Sequence, residues 1–281
     1  MKERTLTSVA ILAVALLVVV FSGYIVYPIA LSILAVIAIF EILRVIEVHK
    51  NIFLTIPAYI FAAIFPLLAY FVNSQNASQY LLLLAGCMFV YLVWLFAVSV
   101  FSKGKTSFAH ISEVFAANLY VTVSASSLSL IRYLNREVGV FVVILVFVIS
   151  WVCDTAAFAV GSLIGKHKLI PEISPKKTVE GSIGGIVFST VLCILYGYII
   201  EIAFDGIEAN YLVLGCCGAI LSIVSQLGDL IASMIKREYG VKDYSKIFPG
   251  HGGVMDRFDS VFAVSTILLI VCIVFPPFVF N

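Results

Sequence analysis

Charge is scarce in this sequence: only 12% of its 281 residues are Asp, Glu, Lys or Arg, and 62% are hydrophobic. A soluble domain has about 25% charged and about 45–50% apolar residues. Several apolar runs reach the roughly 20 residues that a helix needs to cross a bilayer. The composition therefore excludes an ordinary soluble domain and indicates a membrane protein that crosses the bilayer several times.

Patterns typical of several other classes are missing. The six cysteines all lie in apolar segments and form no C-x-x-C pair, so we expect neither a zinc site nor a disulfide framework. The sequence has no G-x-x-x-x-G-K-[ST] loop and no pattern typical of a nucleophilic triad. Internal repeats are not evident, and we expect no nucleic-acid partner.

Apolar runs bounded by polar residues, proline or glycine predict nine membrane-spanning segments. Because backbone groups in lipid must be hydrogen-bonded within the segment, we expect helices and an all-α fold. The first run is long for a signal peptide, and we interpret it as a retained span. The predicted spans are 6–23, 28–46, 53–72, 80–101, 111–131, 139–161, 182–204, 211–234 and 258–280.

The positive charges are divided unequally between the two sides of the membrane in this arrangement. Only Arg132 and Arg136 lie on one side, and the other 15 Lys and Arg lie on the side of the N-terminus. The positive-inside rule makes that second side cytoplasmic, so the C-terminus is expected outside. We predict scaffold helices over 1–101 and a catalytic region over 102–281, with long cytoplasmic loops at 162–181 and 235–257.

Two acidic residues fall within predicted spans, near their cytoplasmic ends. Asp154 lies in the sixth span and Asp229 in the eighth. An ionisable residue in a span is costly and indicates function by default. On a helix, Asp229 shares a face with residues four, seven and eight positions later, which are Ser233, Lys236 and Arg237. The alternative for each Asp is a structural acid that a neighbouring cation neutralises.

Two other features have simpler first interpretations. Glu41 lies nearer the end of its span, where we expect its side chain to reach the membrane interface. Gly161, Gly165, Gly181 and Gly185 have small-xxx-small spacing, which favours close helix packing. Backbone approach to a ligand phosphate is the second interpretation of these glycines.

The two long loops combine cations, glycines and carboxylates. Lys176 and Lys177 are adjacent in "SPKKTVEG", while "GHGGVMDRFDS" carries Asp256 and Asp259 three residues apart. Cations and backbone amides bind phosphate oxygens, and carboxylates bind Mg²⁺ together with substrate phosphates. These loops predict a polyphosphate–metal site that a lipid could reach. On these features alone, a transporter or channel for an anionic solute remains an alternative.

The stretch "SMIKREYGVKDYSKIFPGHGGVMDRFD", residues 233–259, resembles the C-terminal signature of phosphatidate cytidylyltransferases, also called CDP-diacylglycerol synthases. The pattern is Ser, Lys-Arg, Lys-Asp, Pro-Gly-His-Gly-Gly, Asp-Arg and Asp at fixed spacing. More than a dozen positions match it. They are Ser233, Lys236, Arg237, Lys242, Asp243, Pro249, Gly250, His251, Gly252, Gly253, Asp256, Arg257 and Asp259.

The resemblance implies an activity and its partners. CTP and phosphatidate would give CDP-diacylglycerol and pyrophosphate, as a lipid phosphate oxygen attacks the α-phosphorus of CTP. The resemblance also implies a divalent metal, which we expect to be Mg²⁺ with or without a second cation, and a homodimer. We expect a multi-pass protein of a cell inner membrane or plasma membrane whose active site faces the cytoplasm.

From the resemblance and the chemistry together we predict roles for the site residues. Asp229 and Asp256 would be the metal ligands, and Asp154 a further carboxylate of the cavity. The cations expected to hold the triphosphate and the lipid phosphate are Lys176, Lys177, Lys236, Arg237 and Arg257. The remaining predicted substrate-binding residues are Ser233, Lys242, Asp259 and, on the nucleotide side, His251, Gly252 and Gly253.

Two other enzyme classes use related chemistry. CTP-dependent lipid kinases, such as dolichol kinases, are similar in parts and would transfer the γ-phosphate of CTP instead of its nucleotidyl group. The fuller match over 233–259 favours cytidylyl transfer. CDP-alcohol phosphotransferases carry a D-G-x-x-A-R…G…D…D pattern, which is missing here.

Overall fold

The computed structural model describes residues 18–103, 106–248, 250 and 252–280. This part of the chain contains eight long α-helices and four short strands. The helices are α1 (Val26–Val45), α2 (Ile52–Leu68), α3 (Ala77–Phe101), α4 (Phe108–Leu134), α5 (Gly139–Ile164), α6 (Val179–Ala203), α7 (Tyr211–Glu238) and α8 (Met255–Val274). The strands are β1 (Lys168–Ile170), β2 (Ser174–Thr178), β3 (Ile207–Ala209) and β4 (Phe278–Phe280).

All eight helices are long and apolar enough to cross a membrane, if α2 is counted with the 3₁₀ turn Ala69–Phe71 that continues it. The predicted class, an all-α polytopic membrane protein, is therefore confirmed. Most of the predicted first span, 6–23, lies outside the described residues, so the total of nine stays a prediction. The predicted orientation in the membrane likewise stays a prediction.

The last predicted span, 258–280, is wrong at its C-terminal end. Helix α8 ends at Val274, and Phe278–Phe280 form β4 instead of a further helical turn. Pro276 and Pro277 explain the stop, because proline lacks the N–H of the helical bond and disfavours helix in the residue before it. Strand β4 pairs antiparallel with β3, and the Asn210 N–H donates to the Pro277 carbonyl at 3.0 Å.

The described chain forms two compact units. The first contains the described part of Met1–Asn135 together with Asp243–Asp256, and the second contains Arg136–Lys242 and Arg257–Asn281 up to residue 280. The predicted division into a scaffold, 1–101, and a catalytic region, 102–281, concerns function and stays a prediction.

In the first unit, side chains of α3 donate hydrogen bonds to backbone carbonyls of α2. Pro57 lies inside α2 and lacks the N–H that would bond to the Phe53 carbonyl four residues earlier. The indole Nε1–H of Trp94, on α3, donates to that carbonyl at 2.9 Å. Next to it, the Tyr91 hydroxyl donates to the Leu54 carbonyl at 3.0 Å. Neighbouring helices can thus accommodate a proline in a spanning helix.

In the second unit, glycines bring α5 and α6 into close contact. A Cβ atom on Gly181 would lie 2.5 Å from the Ala157 carbonyl oxygen and 3.1 Å from the Gly161 Cα. A Cβ on Gly185 would lie 3.0 Å from the Cys153 carbonyl oxygen. Real Cβ atoms do not approach backbone to 2.5 Å, and contacts of 3.0–3.1 Å are unusually tight, so the interface requires glycine at Gly181 and favours it at Gly185. The first interpretation of the small-xxx-small spacing is confirmed.

We predict that Gly181→Ala destabilises the protein by about 1–3 kcal/mol, because the added methyl group meets backbone that cannot move aside. The measurement is the thermal midpoint of the purified protein in detergent. Gly86→Ala is the matched control, since a Cβ at that position of α3 meets nothing within 4 Å. Equal midpoints for Gly181→Ala and Gly86→Ala would show that the close contact does not contribute to stability.

Candidate active site

The predicted loop 162–181 is shorter than expected and contains a β-hairpin. Helix α5 continues to Ile164, and strands β1 and β2 pair antiparallel with Lys168 opposite Thr178. Glu180, in the first turn of α6, binds the two residues that precede β1 at the base of the hairpin. Its carboxylate accepts the Lys166 N–H at 3.1 Å and pairs with the His167 ring at 2.7 Å. The two predicted lysines of this loop therefore lie on an ordered strand.

Those two lysines, Lys176 and Lys177, differ in their surroundings. The Lys177 ammonium group forms an ion pair with the Asp229 carboxylate on α7. The Lys177 side chain is 22% exposed and the Asp229 side chain 30% exposed, so the pair is partly removed from solvent. Lys176, one residue earlier on β2, is exposed. The structure thus brings together two predicted site residues that lie 52 positions apart in the sequence.

Asp229 has two further acidic neighbours in the second unit. Its charge repels both Asp154, on α5, and Asp259, on α8. Asp154 is exposed, and its Oδ2 atom accepts the Ser260 hydroxyl at 3.4 Å. Asp259 is buried, and its Oδ1 atom accepts the Ser260 N–H at 2.7 Å. We call Asp154, Asp229 and Asp259 the acidic cluster.

Cations compensate the acidic cluster from several elements. Lys177 and Arg257 attract Asp154, and Lys236 attracts Asp259. The three carboxylates would otherwise repel one another, most strongly at Asp259, where burial weakens screening by water. The second unit thus contains a compact group of opposite charges that is accessible at Asp154.

Only some of the residues predicted to share one polar face of α7 have similar surroundings. Lys236 is buried, with 8% of its surface exposed, whereas Arg237 is exposed and donates to the Val241 carbonyl at 3.2 Å. Consecutive residues on a helix point about 100° apart, which explains the separation. Ser233 is half-buried, and Lys242, beyond the helix, is exposed. Of the cations at this end of α7, Lys236 is therefore the one next to the acidic cluster.

In the first unit, the signature segment 243–256 folds around the Asp256 carboxylate. Its Oδ2 atom accepts the Tyr244 N–H at 2.8 Å and the Gly253 N–H at 2.9 Å. Gly252 has a φ of +80°, and a Cβ there would lie 2.7 Å from Asp256 Oδ2. Glycine therefore permits this tight turn beside a carboxylate. Pro249 and His251 lie outside the described residues, so the role of His251 stays a prediction.

Glu41 contradicts its expected placement at the membrane interface. The residue is fully buried in α1, and its carboxylate accepts three hydrogen bonds from the signature segment. The donors are the Ser245 hydroxyl at 2.5 Å, the Val254 N–H at 3.0 Å and the Met255 N–H at 2.7 Å. Its position within a span was the available signal, because ionisable residues there indicate function by default, but it does not identify the partners.

A ready-made metal site is not present among the described residues, since no three His, Cys, Asp or Glu side chains form a ligand group. The acidic cluster nevertheless has suitable donor chemistry. Magnesium prefers oxygen ligands and is usually held by one or two carboxylates together with substrate phosphates. Asp229 and its acidic neighbours therefore fit a cation that binds together with a phosphorylated substrate.

The sequence matches the family model described as "Cytidylyltransferase family" over residues 2–275. The chain belongs to the cytidylyltransferase family. A protein named phosphatidate cytidylyltransferase from Staphylococcus aureus (strain COL) is 34% identical over 274 residues, which cover 97% of this chain and 99% of that protein. Relatives of the same name from S. epidermidis (strain ATCC 35984) and S. haemolyticus (strain JCSC1435) are each 35% identical, with the same coverage.

Family membership confirms the resemblance inferred from residues 233–259. The match of the family model over residues 2–275 extends the likeness to nearly the whole chain. The protein is therefore an enzyme that transfers a cytidylyl group, and a transporter or channel is disfavoured.

We predict that Lys177→Met destabilises the protein by roughly 1–2 kcal/mol, because it leaves the Asp229 carboxylate partly buried and without its ion-pair partner. Lys176→Met, which removes the exposed neighbour, is the matched control for the thermal midpoint. The double variant Lys177→Met with Asp229→Asn should be no less stable than Lys177→Met alone. Additive losses would show that the ion pair does not contribute to stability.

Proposed function

We propose that this protein is a phosphatidate cytidylyltransferase, which transfers CMP from CTP to phosphatidate and forms CDP-diacylglycerol for phospholipid synthesis. The observation that carries the proposal is the match, over nearly the whole chain, to relatives that bear this name. The chemistry of the described residues supports it, because the second unit combines cations and carboxylates on membrane-spanning helices.

The proposed reaction exchanges one phosphoanhydride bond for another. An oxygen of the lipid phosphate attacks the α-phosphorus of CTP, and the bond from that phosphorus to the bridging oxygen of the β-phosphate breaks. Pyrophosphate leaves with that oxygen and its electron pair. Since phosphoryl transfer needs no covalent intermediate with the protein, positioning and charge stabilisation supply most of the catalysis.

Cations of the second unit are proposed to hold the two phosphorylated substrates. Lys177 lies beside Asp229, and Arg257 and Lys236 attract members of the acidic cluster, so all three lie near the proposed phosphates. Lysine and arginine form strong charge-assisted hydrogen bonds to phosphate oxygens. The roles of Lys176, Arg237, Ser233, Lys242 and Asp259 in substrate binding, and of His251, Gly252 and Gly253 on the nucleotide side, stay predictions.

A divalent cation is part of the proposal. Asp229 and Asp256 stay the predicted ligands for Mg²⁺, and Asp154 stays a predicted further carboxylate of the cavity. When bound, Mg²⁺ would neutralise phosphate charge and make the pyrophosphate a better leaving group. Lys177 forms an ion pair with Asp229, so this carboxylate has a cationic partner from the protein itself.

The cellular setting is proposed from the same likeness. The relatives come from bacteria, and eight helices have the length and composition of spans, which supports a bacterial plasma membrane. The excess of Lys and Arg on one side supports an active site that faces the cytoplasm. The homodimer implied by the family resemblance is part of the proposal too.

The direct test uses CTP labelled at the α- or the γ-phosphate, with phosphatidate, Mg²⁺ and the purified protein. Cytidylyl transfer should move the α-label into extracted lipid and release the γ-label as pyrophosphate. A lipid kinase would instead move the γ-label into lipid and release CDP. Transfer of the γ-label into lipid would refute the proposal. So would the absence of any label in lipid, if a related enzyme is active in the same detergent.

Asp256→Asn should lower turnover about 10²–10³-fold, as expected for the loss of one preorganised charge at a reacting centre. The Asn carbonyl oxygen can still accept the Tyr244 and Gly253 amides, so we expect the variant to fold. Asp205→Asn, which changes an exposed carboxylate between α6 and β3, is the matched control. Near-normal formation of CDP-diacylglycerol by Asp256→Asn would rule out the proposed role.

A further inference from the structure

The buried carboxylate of Glu41 accepts three hydrogen bonds from the signature segment. Both of its oxygens are used: Oε1 accepts the Ser245 hydroxyl and the Val254 N–H, and Oε2 accepts the Met255 N–H. Ser245 lies 204 positions away in the sequence, and Met255 lies 214 positions away. The contacts thus join α1 to both ends of one loop.

We propose that Glu41 is a positioning residue of the cytidylyl transfer reaction, which fixes the segment 243–256 and thereby the Asp256 carboxylate. The proposal rests on the proposed function for its catalytic consequence. Its structural part, the dependence of the segment on Glu41, stands independently of the reaction.

A carboxylate is suited to this place for a physical reason. Met255 is the first residue of α8, and the first N–H groups of a helix have no partner within the helix. A negative charge at a helix N-terminus is stabilised by those N–H groups and by the helix dipole. The Ser245 hydroxyl supplies a further donor. Glu41 therefore satisfies the start of α8 from another helix, and these donors compensate its buried charge.

The surrounding residues are arranged for the same contact. A Cβ on Gly253 would lie 2.5 Å from Glu41 Oε2, so glycine is required for the close approach of the segment to α1. One turn after Glu41, the Arg44 guanidinium donates to the Tyr244 carbonyl at 2.6 Å. Two charged side chains of α1 therefore hold the segment: Arg44 binds its start, and Glu41 binds both its start and its end.

Glu41 and Arg44 are linked to the Asp256 carboxylate through the residues that bind it or lie next to it. The two backbone N–H groups that bond to Asp256 Oδ2 belong to Tyr244 and Gly253. Arg44 holds the carbonyl of Tyr244, and Glu41 contacts Gly253 and binds the N–H of Met255, the residue just before Asp256. Movement of the segment away from Glu41 would therefore displace both donors and the carboxylate. Misplacement by about 1 Å at a reacting centre can cost roughly 100-fold in rate.

The test compares Glu41→Gln with Glu47→Gln, which makes the same change at an exposed position of the same unit. Gln keeps the shape of the side chain but presents an N–H₂ group to one of the three donors. We expect kcat for CDP-diacylglycerol formation to fall about 100-fold, with KM for CTP and for phosphatidate changed much less. Glu47→Gln should resemble wild type.

Hydrogen–deuterium exchange provides the readout that does not need turnover. In Glu41→Gln, peptides that contain Val254 and Met255 should exchange faster, because their amides lose the carboxylate acceptor. Peptides from α5, α6 and α7 should keep their wild-type rates. A merely structural role would instead speed exchange throughout the first unit and leave kcat per folded molecule unchanged, which would overturn the proposal.

Ser245→Ala provides a second, milder variant should Glu41→Gln fail to fold. It removes one donor to Glu41 and should lower kcat less, with faster exchange confined to the same segment. If the two residues act through one contact, the double variant should be no slower than Glu41→Gln. Normal kcat and normal exchange in folded Ser245→Ala and Glu41→Gln would refute the proposal.

These readouts separate the two proposals. If wild-type protein forms no CDP-diacylglycerol, the proposed function fails, and the exchange data still decide whether Glu41 fixes the segment. If wild-type protein is active and Glu41→Gln has normal kcat, only the positioning role fails.

Discussion

The ion pair between Lys177 and Asp229 is the interaction on which the proposed chemistry of the second unit depends. Asp229 lies on a membrane-spanning helix and has two acidic neighbours, so without cations the three charges would repel one another where water screens them poorly. A hairpin fastened by Glu180 places Lys177 against Asp229. In the proposed reaction, these cations would bind the phosphates of the two substrates, and the carboxylates would bind a metal ion.

A related constraint governs the first unit. Glu41 is fully buried, and its carboxylate accepts hydrogen bonds from three donors of the signature segment. These donors lie more than 200 positions away from Glu41 in the sequence. Packing between apolar helices supplies the scaffold, and these polar contacts fix the local position of the loops that carry the predicted site residues.

The sequence predicted the helices well because a span has a clear physical signature. Apolar runs of about 20 residues identified α1 to α8 within a few residues, apart from the end of α8. Pro276 and Pro277 were the signal for that end, but the run remains apolar through them, and hydropathy does not register the missing N–H. The hairpin of β1 and β2 was also not predicted, since its strands have only three and five residues.

The site was predicted less completely, because the composition of a segment indicates which residues are polar but not which distant residues they contact. Asp154, Asp229 and Lys177 were identified from intramembrane charge and loop composition, and they prove to be neighbours. Helical spacing placed Lys236 and Arg237 together, yet one is buried and the other is held by Val241. Glu41 was set aside, because its partners lie more than 200 positions away and nothing in the spacing of α1 points to them.

The most direct measurement of the central claim is the affinity for CTP in the presence of Mg²⁺, determined for folded Lys177→Met and for Lys166→Met, an exposed lysine next to the same hairpin. Loss of a hydrogen bond to a charged group costs about 1.5–3 kcal/mol, so Lys177→Met should bind CTP at least tenfold more weakly. Lys166→Met should bind CTP like wild type. Unchanged affinity in Lys177→Met would contradict the account, because the ion pair would then be only structural.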